Sequence, residues 1–547
     1  MPAIMIFVGV PQGHSEIYNF AWFTQYSQQF DQGNWLPRHL PEMWAGLGGH
    51  DFFFYAPLPF WPISVATSAI CSECALVTQI AVGMVFILIL SSLTFFVFAR
   101  CFFGKWPSAV GAVAYSLLPY HLLGDWFIRQ AVGELTAFLF IPVVALGVEK
   151  LRRNEGFGWV LALGVAGTSL SHLPTAVLAV PVFGTIVLLI SFSRAATVTS
   201  TGKFLTNVIF WSALGLLLSC FYWLPSIVLL DSVSSAILFK AYFSPENWLL
   251  GWGRETPSGQ DTKYVVFVFF FYLPLVLASH AITRGVLRTW TFAPIILVLA
   301  LNTSLAELFW QIELFSKVQF PWRLLVFSDL AVALSISAIA AHFSQNTKAH
   351  LGALIAMVAL NLVLLLAIKN ENSQNSIGLD AEAELVSWNG AREYLSPELR
   401  SALESRLEVD SLELIDFDVL VQEISVFAKE VQGVENGPLE IVRSSRHLRV
   451  RPRQDDYRVV LPIQYWSLWR AETENGIALE IEPNPKFGTL DILAAENGFD
   501  DGEIFVYLPL HISEKIGSFV SAISCILLLI VSFFGRKRRV LKVKKAG

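Results

Sequence analysis

The sequence predicts a polytopic α-helical membrane protein of about 11–12 spans, with an α+β or β-rich domain inserted before the last helix. Three observations carry this. The chain of 547 residues is 54% hydrophobic and 15% charged, with a mean hydropathy of +0.56, whereas soluble domains average about 25% charged. Apolar runs of span length recur along it. Its net charge of −6 is partitioned: residues 371–513 hold 27 acids against 12 basic residues, leaving the remainder weakly basic. This composition excludes intrinsic disorder, a collagen-like chain and a disulfide scaffold.

A bilayer core of about 30 Å needs about 20 apolar residues per helix. Runs that meet or approach this are 75–99, 107–124, 130–148, 206–230, 264–283, 324–343, 350–368 and 516–534. The run 157–192 is interrupted by Ser171-His172-Leu173-Pro174 and predicts two shorter helices with a tight turn between them. Residues 289–302 make a short span or half-helix, and 1–11 make about half a span. Basic residues in short loops set orientation. The tail 535–547 carries Arg536, Lys537, Arg538, Arg539, Lys542, Lys544 and Lys545 without an acid, so it is expected in the cytoplasm. Alternation from there puts 12–74, 121–130, 231–263, 303–323 and 370–514 outside it. The expected division is a multi-span domain over 1–369, an extracytoplasmic domain over 370–514, and a last helix with its basic tail over 515–547. Within 370–514, His447–Val450, Tyr457–Pro462 and Ile477–Ile481 alternate like strands, and the stretch around Leu399–Val409 reads as helix. Cys71 and Cys74 are too few for a zinc site.

Polar residues gather at the expected outer ends. The first loop holds Gly13-His14-Ser15-Glu16, Trp35-Leu36-Pro37-Arg38 and the aromatic stretch from His50 and Asp51 to Trp61, which suits a membrane-interface belt. Next come Leu118 to Glu134, including Asp125 and Arg129, then Gln319-Phe320-Pro321-Trp322-Arg323. Arg129 and Glu134 are five apart, about 140° on a helix, so they do not stack as an i,i+4 pair. Arg323 opens a span, where a cation gains nothing from the helix dipole and calls for an anionic neighbour. His172 marks one outer turn, where a lone histidine is more often a hydrogen-bonded structural residue. Asp231 follows Phe221–Pro225 at another outer end.

These pieces, with Tyr465-Trp466-Ser467-Leu468-Trp469, resemble over nearly the whole chain the bacterial 6-pyruvoyl-tetrahydropterin synthase-related integral membrane proteins. That family in turn resembles the GT-C glycosyltransferases, which use polyprenyl-phosphate sugars. The family usually has an aspartate after Gly-His and a histidine four residues later; here Ser15 and Asn19 stand at those places. The resemblance implies a protein of the bacterial inner membrane. It would move a sugar from a polyprenyl-phosphate donor to a cell-envelope glycan or lipid acceptor on the extracytoplasmic face. Such transfer needs a carboxylate to take the hydroxyl proton and cations to hold the departing phosphate. The candidates are Glu16 as base with Asp51 in reserve, Arg129 and Arg323 on phosphate, Glu134 orienting Arg129, and His172 as a supporting or acceptor contact. Asp125 and Asp231 are additional candidates. No cofactor or metal is called for, and no nucleic-acid-binding stripe is present. Partner proteins at the extracytoplasmic domain are a further expectation. A non-catalytic assembly or scaffold protein of the same fold would account for Ser15 and Asn19. A lipid or solute transporter would want broken helices and an internal repeat, neither of which is clear.

Overall fold

The structure, a computed structural model, describes most of residues 15–343 and 391–546; the longest internal stretches outside that description are 193–199, 251–258 and 356–390. The apolar stretch 1–11, Cys71 and all but isolated residues of the run 350–368 fall outside it. Among the described residues six helices are long and apolar enough to cross a membrane: Thr78–Ala99, Val132–Arg152, Leu173–Phe192, Thr201–Leu218, Pro321–Phe343 and Ile512–Ser532. Three shorter apolar helices join them, Gly158–Ser171, Val268–Ile282 and Gly285–Leu301.

Val132–Arg152 and Pro321–Phe343 form the centre of the bundle, each 78% buried, whereas Ile512–Ser532 is 17% buried and lies at the periphery. Between apolar helices in lipid, association depends on close packing rather than on a hydrophobic gain. Small residues permit it here. A Cβ on Gly147 would meet the Leu161 backbone at 2.5 Å, and one on Gly164 would meet the Val144 nitrogen at 2.7 Å. Helices Val132–Arg152 and Gly158–Ser171 therefore touch backbone to backbone.

The break expected before Pro174 is present: His172 is extended (φ −161°, ψ 105°) between helices Gly158–Ser171 and Leu173–Phe192. Two expected continuous runs are instead interrupted. Lys105–Leu117 is followed by a π-helical stretch, Tyr120–Ile128, and the run 206–230 divides into Thr201–Leu218 and Cys220–Val228. Hydropathy reports apolarity and is blind to such a change of winding.

The domain after residue 390 begins with helices Pro397–Arg406 and Phe417–Gln432. Ser396 caps the first, its side chain accepting the Leu399 N–H. Seven antiparallel strands follow: β1 (Glu440–Arg443), β2 (His447–Arg451), β3 (Arg458–Gln464), β4 (Arg470–Thr473), β5 (Ala478–Pro483), β6 (Thr489–Leu493) and β7 (Ile504–Tyr507). Their order across the sheet is β1-β2-β7-β4-β5-β6-β3. β2 alternates exposed and buried, as its sequence does, while β3 is buried almost throughout.

The aromatic stretch near residue 50 is not an interfacial belt. Phe52 and Phe53 are fully buried, and His50 stacks on Trp466 with ring centroids 4.0 Å apart. These rings fill the seam between helical bundle and sheet domain, because the Gln464 N–H donates to the Leu47 carbonyl and draws the loop onto β3. Arg38 lies in the same seam, 2% exposed, donating to the carbonyls of Phe52 (2.9 Å) and Phe221 (2.7 Å). Glu514, at the start of the last helix, sits 3.9 Å from Arg38 and 2.6 Å from Arg446 of the sheet domain. One carboxylate thus faces cations from the first loop and the sheet, while belonging to the last span.

Candidate functional site

The π-helical stretch Tyr120–Ile128 ends at a corner. Gln130 has φ +49°, a left-handed conformation that a non-glycine residue adopts at a cost of about 1 kcal/mol or more. That corner takes Arg129 out of both flanking helices and turns it back between them. Its Nη1 donates to Asp125 Oδ1 (2.6 Å), Glu134 Oε2 (2.9 Å) and Tyr120 Oη (3.1 Å). The helical-wheel objection to an Arg129–Glu134 pair fails for this reason: Arg129 precedes the helix Val132–Arg152 rather than lying in it. Glu134 also accepts the Tyr120 hydroxyl at 2.6 Å. All three described donations use Nη1, and the Arg129 side chain is 21% exposed. The Nε–Nη2 edge of its fork carries no bond among the described residues.

Arg323 reaches the same group from another direction. Its Nε lies 3.8 Å from Glu134 Oε2, so Glu134 is the anionic neighbour the sequence called for. Nη1 donates to the Val318 carbonyl and to Gln319 Oε1 at 3.3 Å, and the guanidinium lies 5.0 Å from the Phe320 ring centroid. Gln319 is left-handed as well, with φ +72°. Each arginine therefore adjoins a glutamine in a left-handed turn. Arg323 Nε is buried and without a hydrogen-bond partner among the described residues, as is Asp125 Oδ2. Burial and then the adjoining Glu134 raise the Asp125 carboxyl above its ordinary range, with Arg129 opposing. Two guanidiniums held by buried carboxylates, each with a donor unused among the described residues, are an arrangement that can hold an anion.

Glu16 opens the helix Glu16–Asp31; its side chain lies outside the described residues. Its backbone is nonetheless at the corner, since the Ser15 N–H donates to the Arg129 carbonyl at 3.1 Å. Asn19 Nδ2 donates to the Gln130 carbonyl at 2.7 Å. Ser15 and Asn19 thus tie the helix Glu16–Asp31 to the strained corner. His172 bonds Thr175 through Nδ1 (2.7 Å). A Cβ on Gly133 would lie 3.4 Å from His172 and 3.6 Å from the Tyr55 hydroxyl, so both rings border the start of the helix Val132–Arg152. Asp231 stands exposed on the turn Leu230–Ser232, and no described bond links it to the arginines.

Asp51 is fully buried, its Oδ1 accepting Trp22 Nε1 (2.9 Å) and the Ala391 N–H (3.5 Å) while Oδ2 has no described partner. The Trp22 ring lies 4.4 Å from that of Tyr55. Burial pushes the Asp51 pKa up from 3.8 to about 6. A folded pKa above the unfolded one means that Asp51 contributes stability at low pH that is lost as pH rises through about 6. Asp51→Asn keeps an acceptor for Trp22 without that ionisation. The stability of wild type relative to Asp51→Asn should fall by up to about 3 kcal/mol as pH rises from below 4 to 7, read from thermal melts. A pH-independent difference would show that Asp51 is ionised without strain.

Among the buried carboxylates that the sequence reading passed over, Asp329 bears on the Arg129 corner. Asp329, inside the span Pro321–Phe343, accepts the Tyr272 hydroxyl and the His121 N–H (3.0 Å), thereby holding the first residues of the π-helical stretch. A lone acid in an otherwise apolar span is itself a signal of a polar partner. Among the described residues no group of three or more His, Cys, Asp or Glu side chains is placed to hold a metal ion.

No family model matches the chain, and no curated protein matches it. Solved structures do. An arabinofuranosyltransferase, AftD, from Mycobacteria is 14% identical over 68% of this chain, with a TM-score of 0.40. This chain spans about 27% of AftD's length. ArnT from Cupriavidus metallidurans bound to undecaprenyl phosphate is 12% identical, with a TM-score of 0.28, over 62% of this chain and 76% of its own. The archaeal oligosaccharyltransferase AglB from Archaeoglobus fulgidus, in complex with an inhibitory peptide and a dolichol-phosphate, is 13% identical, with a TM-score of 0.37 over 77% of this chain and 58% of its own.

Proposed function

We propose that this protein is a GT-C-like glycosyltransferase of the bacterial inner membrane. It takes a sugar from a polyprenyl phosphate and passes it to a cell-envelope glycan or lipid on the extracytoplasmic face. The observation that carries the reading is the Arg129–Glu134–Arg323 cluster, in which both arginines are braced by Glu134 and each keeps a donor unused among the described residues. A phosphate leaving group develops charge as the glycosidic bond breaks, and fixed donors in a water-poor site stabilise that charge without reorganising. Glu134 and Asp125 hold Arg129 in place, and Arg129 and Arg323 take the phosphate oxygens. Glu16, carried to the corner by the Ser15–Arg129 bond, is the base for the acceptor hydroxyl. Asp51, bonded to Trp22, is the reserve base. His172 positions the acceptor from the Gly133 side. Asp231 contributes at most from the periphery. The 6-pyruvoyl-tetrahydropterin synthase-related resemblance and a cytoplasmic C-terminus, from the basic tail, belong to the same reading.

The test is transfer of labelled sugar from polyprenyl-phosphate donors to endogenous acceptors in membranes that contain or lack the protein. Protein-dependent labelling supports the reading. A second reading, a scaffold of GT-C-like fold, is favoured by one observation: the positions that depart from the family pattern, Ser15 and Asn19, both make bonds that hold the Arg129 corner. No donor binding and no transfer would favour the scaffold.

A further inference from the structure

The connection between helices Gly285–Leu301 and Pro321–Phe343 contains three single turns of helix, Ser304–Ala306, Glu307–Trp310 and Glu313–Ser316. On it Leu305 is 91% exposed, Leu308 79%, Ile312 51% and Leu314 56%. Leu305 and Leu308 sit on successive single turns, and Ile312 is extended (φ −66°, ψ 123°) just before the third.

This exposure is not that of a loose loop. Trp310 is fully buried and its Nε1 donates to the Leu301 carbonyl at 2.8 Å. Leu250 and Thr303 form a parallel bridge, with the Leu250 N–H donating to Asn302 (2.8 Å) and the Ser304 N–H to Leu250 (3.0 Å). The Phe309 and Phe315 rings stack with centroids 4.2 Å apart. A firmly held segment that turns its aliphatic side chains outward marks a surface that something apolar covers. The level of the segment identifies the cover. Both flanking helices are apolar, and the exposed side chains Ile296 and Leu299 of the first run directly into it. The exposed Glu313–Lys317 ion pair (3.1 Å) supplies charges of the kind that sit among headgroups.

We infer that Ser304–Ser316 lies in the headgroup layer of the leaflet on the sheet-domain side, with Leu305, Leu308 and Ile312 in the acyl boundary. The occupant of the patch is bilayer lipid. Just after the segment come Val318 and Gln319, whose oxygens accept from Arg323, so lipid contact sets the depth at which that guanidinium meets a headgroup. The anchoring does not depend on sugar transfer, and its test uses no donor.

The test uses the full chain in phosphatidylcholine–phosphatidylglycerol vesicles, with an environment-sensitive fluorophore on Leu308→Cys. Asn475→Cys, in the sheet domain, is the aqueous reference, and the unsubstituted protein labelled in parallel gives the background of its native cysteines. The fluorophore at residue 308 should be blue-shifted relative to that at residue 475. It should lose intensity to lipids carrying a doxyl group on the acyl chain and resist iodide, whereas the label at residue 475 should do the reverse. Iodide quenching at residue 308 equal to that at residue 475, without doxyl quenching, overturns the inference. So does shielding that disappears on diluting the protein in lipid, which would assign the patch to a second copy.

Discussion

Arg323→Ala should reduce sugar transfer by about 10²–10³-fold, the loss found when one preorganised donor to a developing negative charge is removed, while leaving insertion and folding near those of wild type. The asymmetry comes from how Glu134 is shared. It keeps Arg129 at 2.9 Å and the Tyr120 hydroxyl at 2.6 Å when Arg323 is gone, so no buried carboxylate is stranded. Arg129→Ala is the opposite case. It removes the close cation partner of both Asp125 and Glu134, and stranding a buried partner costs about 3–5 kcal/mol. Arg129 variants are therefore expected to lose folded protein as well as activity, which makes Arg323 the informative position. Arg323→Lys should restore only part of the rate, since a point charge lacks the bidentate fork. Transfer assays on membranes normalised to folded protein check both variants. Transfer by Arg323→Ala at the wild-type rate would remove Arg323 from the phosphate site.

Glu514→Ala should destabilise the protein by about 3–5 kcal/mol, the cost of leaving a buried partner uncompensated. Two cations depend on this carboxylate. Arg446 pairs with it at 2.6 Å, and Arg38, 2% exposed, lies 3.9 Å away with its Nε lacking any described hydrogen-bond partner. Burial already lowers the Arg38 pKa to about 10 despite the facing Glu514. The His511 N–H would also lose its acceptor at 3.0 Å. Because Arg446 belongs to the sheet domain and Arg38 to the first loop, the substitution should loosen the domain seam before the bundle. Thermal unfolding should show a lowered first transition, and limited proteolysis should cut earlier around residues 509–511. An unchanged melting profile would mean that the Phe52, Phe53 and Trp466 packing holds the seam alone. Glu514→Gln, which keeps hydrogen-bonding atoms without charge, should fall between the two.

Much of the architecture was legible because apolarity and alternation report it directly. The break at His172 followed from Pro174, and β2 followed from its period of two. The charge cluster was legible residue by residue: Arg129, Glu134 and Arg323 were singled out as ionisable groups at span ends, and the structure brings them together across 194 positions of sequence. What escaped depended on winding and on long-range contact. The left-handed corner at Gln130 lets Arg129 and Glu134 meet despite their spacing of five, and no propensity marks a glutamine for that conformation. The aromatic stretch 52–61 has the composition of an interfacial belt, but the sheet domain that covers it comes more than 300 residues later. Asp329 sat unremarked in a run scored for hydropathy, although its charge was the clue to Tyr272 and His121.

On the proposed function, Arg129 and Arg323 form a site for a lipid-borne phosphate. Its most direct measurement is equilibrium binding of undecaprenyl phosphate to the purified full chain in nanodiscs, beside undecaprenol, with wild type and Arg323→Ala compared. Wild type should bind the phosphate form at least about tenfold more tightly than the alcohol, as one charged hydrogen bond of about 1.5–3 kcal/mol requires, and Arg323→Ala should remove most of this preference. Equal affinity of wild type for the phosphate and the alcohol, or an undiminished phosphate preference in Arg323→Ala, would contradict it.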